Sequence, residues 1–389
     1  MTNSELLSKT ISYLRFPLTV GVVFLHYNLV SNGFTIHGIM YGTEYPDWYG
    51  WLILFISDVL GRLCVPMFFL ISGFLFFYRV DFNHHIYKQK LRKRVMTLFV
   101  PYLLWNIIAI LYELAHKLPF LSSVCPNACY TEVHISFMRL FHTFFANFDN
   151  EGILVSTILD PSVKPPDFPY PIDTPLWFVR DLMVMVLLSP FIFWMIKRAG
   201  RWVILLLGIV WAFYQAVFMV DGSWPDGGWS VLLSRAAFFY SWGAYYSINK
   251  ISFVDQMRKY KYAPLLYIPV AIADTLTKIY DFNIYIHEIG ILIGIVSVTV
   301  VVSYLLENNR IQVNETLSNC SFFVFALHLL IMCDIGKLIF TILHLSGSIY
   351  NLVFLYFFVP LLTICICIIL YIIIRRYMPK LCNLLTGGR

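Results

Sequence analysis

Arg15 and His26 stand eleven residues apart in an otherwise apolar run, residues 11–30. Eleven residues close about three turns of α-helix, so a helix would carry both side chains on one face, roughly 16 Å apart along its axis. Histidine is the side chain best suited to give or take a proton near neutral pH. It also serves as a plain hydrogen-bond partner between helices, and on these two residues alone both readings stay open. Asp58, Arg62, Arg180, Asp181, Arg235, His287, Glu288, His328, Asp334 and Lys337 likewise fall inside apolar runs. A charge in lipid costs several kcal/mol unless it is paired or hydrated. Arg180 beside Asp181, or Asp334 beside Lys337, would do as glue between helices; the whole set implies a polar interior cavity. The run Lys88-Gln-Lys-Leu-Arg-Lys-Arg94 is a cluster of a different kind. It suits an anchor on anionic lipid, and it equally suits a phosphate-rich ligand.

The elements that must position these residues are set by composition. Hydrophobic residues make up 59% of the 389, charged residues 13%, and the mean hydropathy is +0.72. A soluble domain carries about a quarter charged residues, so lipid and not water must cover this chain. Ten apolar stretches are readable, near 11–30, 51–77, 96–115, 175–195, 203–220, 230–248, 263–280, 285–306, 319–343 and 350–374. Each is near the roughly 20 residues that a crossing takes. The expectation is an all-α, polytopic integral membrane protein of about ten transmembrane helices. The first run lacks a small-residue cleavage site and reads as a retained span.

Orientation follows the basic residues. With the N-terminus inside, the inner segments hold nineteen of them, from Lys9 and the run above through Arg198, Arg201, Arg258 and Arg310 to Arg389. The outer segments hold Lys117, Arg139 and Lys164. Both termini are therefore expected in the cytoplasm. The net charge of +6 follows that topology and implies no nucleic-acid partner. The connection 116–174 becomes a long outer loop, closed by a proline-rich stretch, Pro161 to Pro175, that suits an irregular cap. Cys125 and Cys129 lie in it, where a disulfide is one of two open readings. The other six cysteines lie in or beside apolar stretches and suit buried hydrophobes. None of the eight forms a metal pattern. Trp48, Trp51, Trp177, Trp224 and Trp229 fall at the outer rim, as interfacial anchors or sugar-stacking faces.

Five stretches resemble the membrane acyltransferase family three, the bacterial glycan O-acyltransferases. LRFPLTVGVVFLHYN carries a basic residue, ten positions and a histidine, met by Arg15 and His26. VPMFFLISGFLFF (Val65 to Phe77), KLRKRVMTLFVPYLLWN, TPLWFVRDLMVMVLLSP and SNCSFFVFALHLLI follow in the family's order. The chain departs from the family at Leu182, where many members carry a glutamate, at Thr97 and at Ala326. The resemblance implies a single transmembrane acyltransferase domain over residues 1–389, without the extra soluble domain that some members add. It implies transfer of an acyl group, acetyl first among them, from acyl-CoA (acetyl-CoA) to a hydroxyl of a cell-surface or lipid-linked glycan, with no metal, in a bacterial cell membrane. His26 becomes the catalytic residue, as base or acyl carrier. Arg15, Lys90, Arg92, Lys93 and Arg94 become donor-binding residues. Arg62, Arg180, Asp181, Arg235, Glu288 and His328 become candidates for the acceptor or the oxyanion. A transporter or flippase for a glycan precursor is the rival reading, since it uses intramembrane charge equally well.

Overall fold

The computed structural model describes residues 2–28, 34–36, 39–41, 45–116, 132–133, 136–145, 154–155, 170–219 and 228–388. Apart from two short antiparallel ladders, Phe34–Ile36 with Ile39–Tyr41 and Glu132–Val133 with Leu154–Val155, the described regular structure is helical. Among the described residues, each of the ten apolar stretches overlaps a helix. Helix α1 is Asn3–His26. The second stretch is one rod made of α2 (Asp47–Leu54), a π-turn (Phe55–Leu60), a 3₁₀ turn (Gly61–Leu63) and α3 (Cys64–Phe77). The third is α4 (His84–Arg94), a π-turn (Val95–Phe99) and α5 (Val100–Ala115). Helix α6 (Phe137–Phe145) lies in the long connection. Then come α7 (Trp177–Ala199), α8 (Arg201–Met219), α9 (Gly228–Ile248) and the short α10 (Phe253–Arg258). Helices α11 (Ala263–Leu276), α12 (Asn283–Glu307), α13 (Glu315–Ile342), α14 (Ile349–Tyr377) and α15 (Pro379–Thr386) complete the chain.

Among the described residues, 6 helical rods are long and apolar enough to cross a membrane: Asp47–Phe77, His84–Ala115, Thr174–Ala199, Asn283–Glu307, Glu315–Ile342 and Ile349–Tyr377. Arg201–Phe213 and Ala263–Leu276 are apolar but shorter. Helices α1 and α9 cover the two remaining stretches. Leu111, Leu187, Phe191, Ile209, Phe213, Ile268 and Ile289 stand exposed on these rods. That is a surface made for acyl chains and not for water. The chain is thus a multi-pass membrane protein.

Two compact units divide the residues: Met1–Leu25, Trp51–Arg94 and Asp181–Ser321 form the first, and His26–Gly50, Val95–Arg180 and Phe322–Arg389 the second. In the first unit, α3 and α9 cross backbone to backbone. A Cβ on Gly73 would fall 2.0 Å from the Tyr240 carbonyl oxygen, and one on Gly243 1.9 Å from that of Leu70. Small residues at such a crossing let two helices pack where no hydrophobic drive between them exists in lipid. The Tyr240 hydroxyl shares a hydrogen bond of 3.0 Å with Ser189 of α7, and Trp211 of α8 stacks on Phe238 of α9 at 5.2 Å. The second unit is tied by the Trp105 indole, which donates to the Leu385 carbonyl at 2.9 Å. Gly387 ends α15 at φ +69 against the Thr97 carbonyl, a place that only glycine fills.

Four of the six described cysteines, Cys64, Cys320, Cys367 and Cys382, are buried as expected, whereas Cys333 and Cys365 are exposed. Residues on the outward stripe of a helix in lipid need not be buried by protein, and the sequence pattern does not separate the two stripes. Cys125, Cys129, Trp224 and most of the proline-rich stretch lie outside the described residues.

Candidate functional site

Helix α1 runs unbroken through Arg15 and ends on His26. Both side chains are half-buried. Pro17 has no N–H to give the helix, and nearby the Thr19 hydroxyl donates to the Arg15 carbonyl at 2.9 Å. Arg15 belongs to the first unit and His26 opens the second.

Within the second unit, His26 meets His328. Nδ1 of His26 lies 3.2 Å from Nε2 of His328, and the ring centroids are 5.1 Å apart. His328 is fully buried in α13. Its other nitrogen, Nδ1, lies 2.7 Å from the Phe325 carbonyl and 3.2 Å from that of Val324. Tyr27 and Asn28, which follow His26, are buried as well. Of the residues singled out for chemistry, these two histidines are the pair that the second unit brings together.

Arg180 also belongs to this unit, fully buried. Its Nη1 donates to the Phe145 carbonyl at 2.7 Å, and its guanidinium sits 5.2 Å from the Phe145 ring centre. Asp181, the next residue, falls in the first unit and is also buried. Asp334 and Lys337, offered above as glue between helices, do not pair with each other. The Asp334 carboxylate instead accepts from the Tyr112 hydroxyl at 2.5 Å and pairs with His116 at 2.8 Å. An aromatic hydroxyl and an imidazole on a facing helix meet that carboxylate, and no spacing within one helix announces them.

The first unit holds the remaining candidates. Asp58 sits in the π-turn and Arg62 in the 3₁₀ turn after it, joined at 3.1 Å. The irregular backbone brings Gly61 against Gly21 and Leu25 of α1, a use of π-turns common at functional sites. Glu288 is buried in α12, with both carboxylate oxygens lacking a hydrogen-bond partner among the described residues. Arg235 is half-buried on α9. His287, singled out in the sequence, gathers partners that were not. His287 bonds Asp274 at 2.8 Å, Asn283 donates to the same carboxylate at 2.9 Å, and Lys278 lies 3.6 Å from it. Asp274 and Lys278 stand four apart in an apolar stretch, so they were as readable as Asp58 and Arg62. Asp173 was not readable. It precedes Thr-Pro as a helix cap would, yet its side chain caps nothing. It is fully buried, its N–H donates to Asn106 Oδ1 at 3.2 Å, and neither carboxylate oxygen has a partner among the described residues. Burial pushes its carboxyl well above the ordinary range.

The basic run does not form one patch. Arg92 and Lys93 are exposed. Lys90 and Arg94, four apart, turn to the other face, where Lys90 donates to the Phe76 carbonyl and both cations lie over the Phe76 ring. A separate basic cavity of about 860 Å³ lies in the first unit. Arg79, Lys197 and Lys250 line it, outnumbering Asp81, whose carboxylate lies 3.9 Å from Lys250, and Ser4, Phe77 and Tyr78 are among its walls. Arg79 and Lys250 follow α3 and α9, the two helices of the glycine crossing. Both take left-handed backbone, φ 54 and φ 58, which costs a non-glycine residue about 1 kcal/mol or more. Among the described residues no group of three or more His, Cys, Asp or Glu side chains is placed to hold a metal ion.

Comparison with known proteins gives a consistent result. The family model described as an acyltransferase domain matches residues 9–372. The succinoglycan biosynthesis protein ExoH of Rhizobium meliloti (strain 1021) is 26% identical over 402 residues, covering 98% of this chain and 92% of that one. No solved structure matches. The family match spans the Arg15–His26 motif and every other stretch that carried the resemblance, and the chain belongs to this acyltransferase family.

Proposed function

We propose that the protein is a membrane O-acyltransferase that moves an acyl group, acetyl first among them, from acyl-CoA to a hydroxyl of a cell-surface or lipid-linked glycan. The observation that carries this reading is His26, at the histidine position of the family motif and the end of α1, held against the buried His328 of α13. The donor arrives from the cytoplasm. The 3′-phosphate at its nucleotide end is met by Arg79, Lys197 and Lys250 in the basic cavity, Arg92 and Lys93 are exposed to attract it, and Arg15, further along α1, meets the pyrophosphate from which the pantetheine arm runs. Lys90 and Arg94 hold α4 in place through Phe76. The pantetheine arm is roughly as long as the eleven-residue rise from Arg15 to His26, roughly 16 Å. At its end His26 accepts the proton of the acceptor hydroxyl, whose oxygen attacks the thioester carbonyl. The carbon–sulfur bond breaks and the proton passes to the departing thiolate. Buried Arg180, Asp181 and Glu288 and half-buried Arg62 and Arg235 are the candidates for binding the acceptor or the oxyanion. A polysaccharide acceptor is supported by the name of the relative, a succinoglycan biosynthesis protein. The setting is a bacterial plasma membrane with both termini cytoplasmic, supported by the basic asymmetry of the sequence.

The test uses purified protein in proteoliposomes with radiolabelled acetyl-CoA inside and a lipid-linked glycan fraction from the producing cells. Label in the glycan with matching release of free coenzyme thiol supports the reading. Glycan crossing the bilayer with no thiol released contradicts it and favours a transporter.

A further inference from the structure

We infer that His328 is a positioning residue that fixes the tautomer and the aim of His26. The inference deepens the proposed acyl transfer and rests on His26 acting in it. It starts from hydrogen-bond direction. A carbonyl oxygen can only accept. With the Phe325 carbonyl 2.7 Å and the Val324 carbonyl 3.2 Å from Nδ1 of His328, that nitrogen carries the hydrogen. The partners of the ring among the described residues are these two carbonyls and His26, none of them an anion. A fully buried ring with no counter-ion stays neutral, because a bare buried charge is far costlier than a buried dipole. In the neutral ring the second nitrogen, Nε2, is then an acceptor. Nδ1 of His26, 3.2 Å away, must donate to it. That places the hydrogen of His26 on Nδ1 and leaves Nε2 of His26 as the nitrogen with the lone pair, the one that takes the proton of the acceptor hydroxyl.

The chain of direction therefore begins in the main chain of α13 and ends at the reactive nitrogen. It runs from the Phe325 carbonyl through His328 to His26, and each step leaves one tautomer. The neighbouring ring does for His26 what a buried carboxylate does for the histidine of a hydrolase triad, holding the imidazole in one tautomer and orientation. It does so without a charge, which suits a site inside lipid. His26 is the last residue of its helix and half-buried, so its own backbone leaves the ring less restrained than a mid-helix one. His328, mid-helix and fully buried, is the fixed member.

The experiment compares turnover per folded molecule for His26→Gln, His328→Phe, His328→Asn and His328→Gln in proteoliposomes, with acetyl-CoA and the lipid-linked glycan fraction. Folded protein is counted by the monodisperse size-exclusion peak. His328→Phe keeps an aromatic shape but accepts nothing. His328→Asn is polar but too short to reach His26. His328→Gln places an amide oxygen near the lost Nε2. The expected result is a kcat on the order of 10- to 100-fold lower for Phe and Asn, with the KM for acetyl-CoA within about twofold of the wild type. His328→Gln is expected to recover most of the loss. Wild-type kcat in Phe or Asn, beside an inactive His26→Gln, overturns the role of His328 and leaves the acyl-transfer reading standing. Equal impairment of Phe, Asn and Gln makes His328 a packing residue and also overturns it. An active His26→Gln removes the reading of His26, and this inference with it.

Discussion

Replacing Gly243 by Ala tests whether the α3–α9 crossing is as close as it stands and whether it shapes the donor cavity. The new Cβ would lie 1.9 Å from the Leu70 carbonyl oxygen and 2.8 Å from the Phe74 nitrogen. An ordinary carbon-to-carbonyl approach is about 3.3 Å, so the two helices must part by about 1.4 Å from the 1.9 Å contact. The facing atoms are main chain, and no side chain can rotate out of the way. Overpacking of this kind costs about 1–3 kcal/mol, offset in part by the better helix propensity of alanine, up to about 1 kcal/mol. Gly73→Ala meets the Tyr240 carbonyl at 2.0 Å and demands the same separation. Once one alanine has parted the helices, the second fits at little further cost, so the double variant falls well short of the sum. Gly290→Ala is the control, since its Cβ meets Val270 and Asp274 at the ordinary distances of 3.5 and 3.8 Å. The assay is the temperature at which purified protein in detergent loses its monodisperse peak. At on the order of 2 °C per kcal/mol, each crossing variant, net of that offset, melts up to about 4 °C lower and the control melts with the wild type or above it. Arg79 and Lys250 follow the two crossing helices, so both crossing variants also raise the KM for acetyl-CoA. Wild-type melting of both single variants, or losses that add in full, would refute the reasoning.

Removing charge in the basic cavity, with Lys197→Gln and Lys250→Gln together, is expected to raise the KM for acetyl-CoA by about 3- to 10-fold at unchanged kcat; steady-state kinetics in proteoliposomes checks it. In the basic run, Lys90→Gln with Arg94→Gln lowers the melting temperature because it frees α4 from Phe76. Arg92→Gln with Lys93→Gln leaves melting unchanged and weakens donor binding most at low salt. The carboxyl of Asp173 is held above its ordinary range by burial. Its folded-state pKa exceeds the unfolded one, so wild-type stability declines as pH rises past the ordinary carboxylate range. Asp173→Asn therefore melts higher than the wild type at pH 8, and the two converge toward pH 4; an Asn variant no better at pH 8 contradicts this.

The fold was legible because lipid makes strong demands. Every crossing must be apolar and helical, and six of the ten apolar stretches lie on described helical rods long and apolar enough to cross. The long connection 116–174 was legible as a break in that pattern, though not its helix α6, whose nine residues lie far below the length of a crossing. The π-turns at Phe55–Leu60 and Val95–Phe99 leave no mark on hydrophobic periodicity, yet the first of them seats Asp58. In the site, His26 and Arg15 were legible as a motif with a helical spacing. The contact of His26 with His328 was not, because it joins residues 302 apart in sequence and depends on how two helices pack. The split of the basic run into two faces was open to view: Lys90 and Arg94 are four apart, and Arg92 and Lys93 lie between them. The pairing of Asp334 with Tyr112 and His116 was hidden for the opposite reason. Lys337, three residues on along the same helix, is the nearer partner by sequence, while the facing helix supplies the partners that the carboxylate takes.

The claim that His26 carries the chemistry is tested most directly by the turnover of His26→Gln per folded molecule, with acetyl-CoA and the lipid-linked glycan fraction in proteoliposomes. Glutamine keeps a polar group near the ring position and is expected to leave expression and the size-exclusion peak near those of the wild type. It cannot take a proton near neutral pH. Acyl transfer is predicted to fall at least about 100-fold. Near-normal turnover per folded molecule, with only the yield of protein reduced, would make His26 a helix-packing residue and contradict the mechanism.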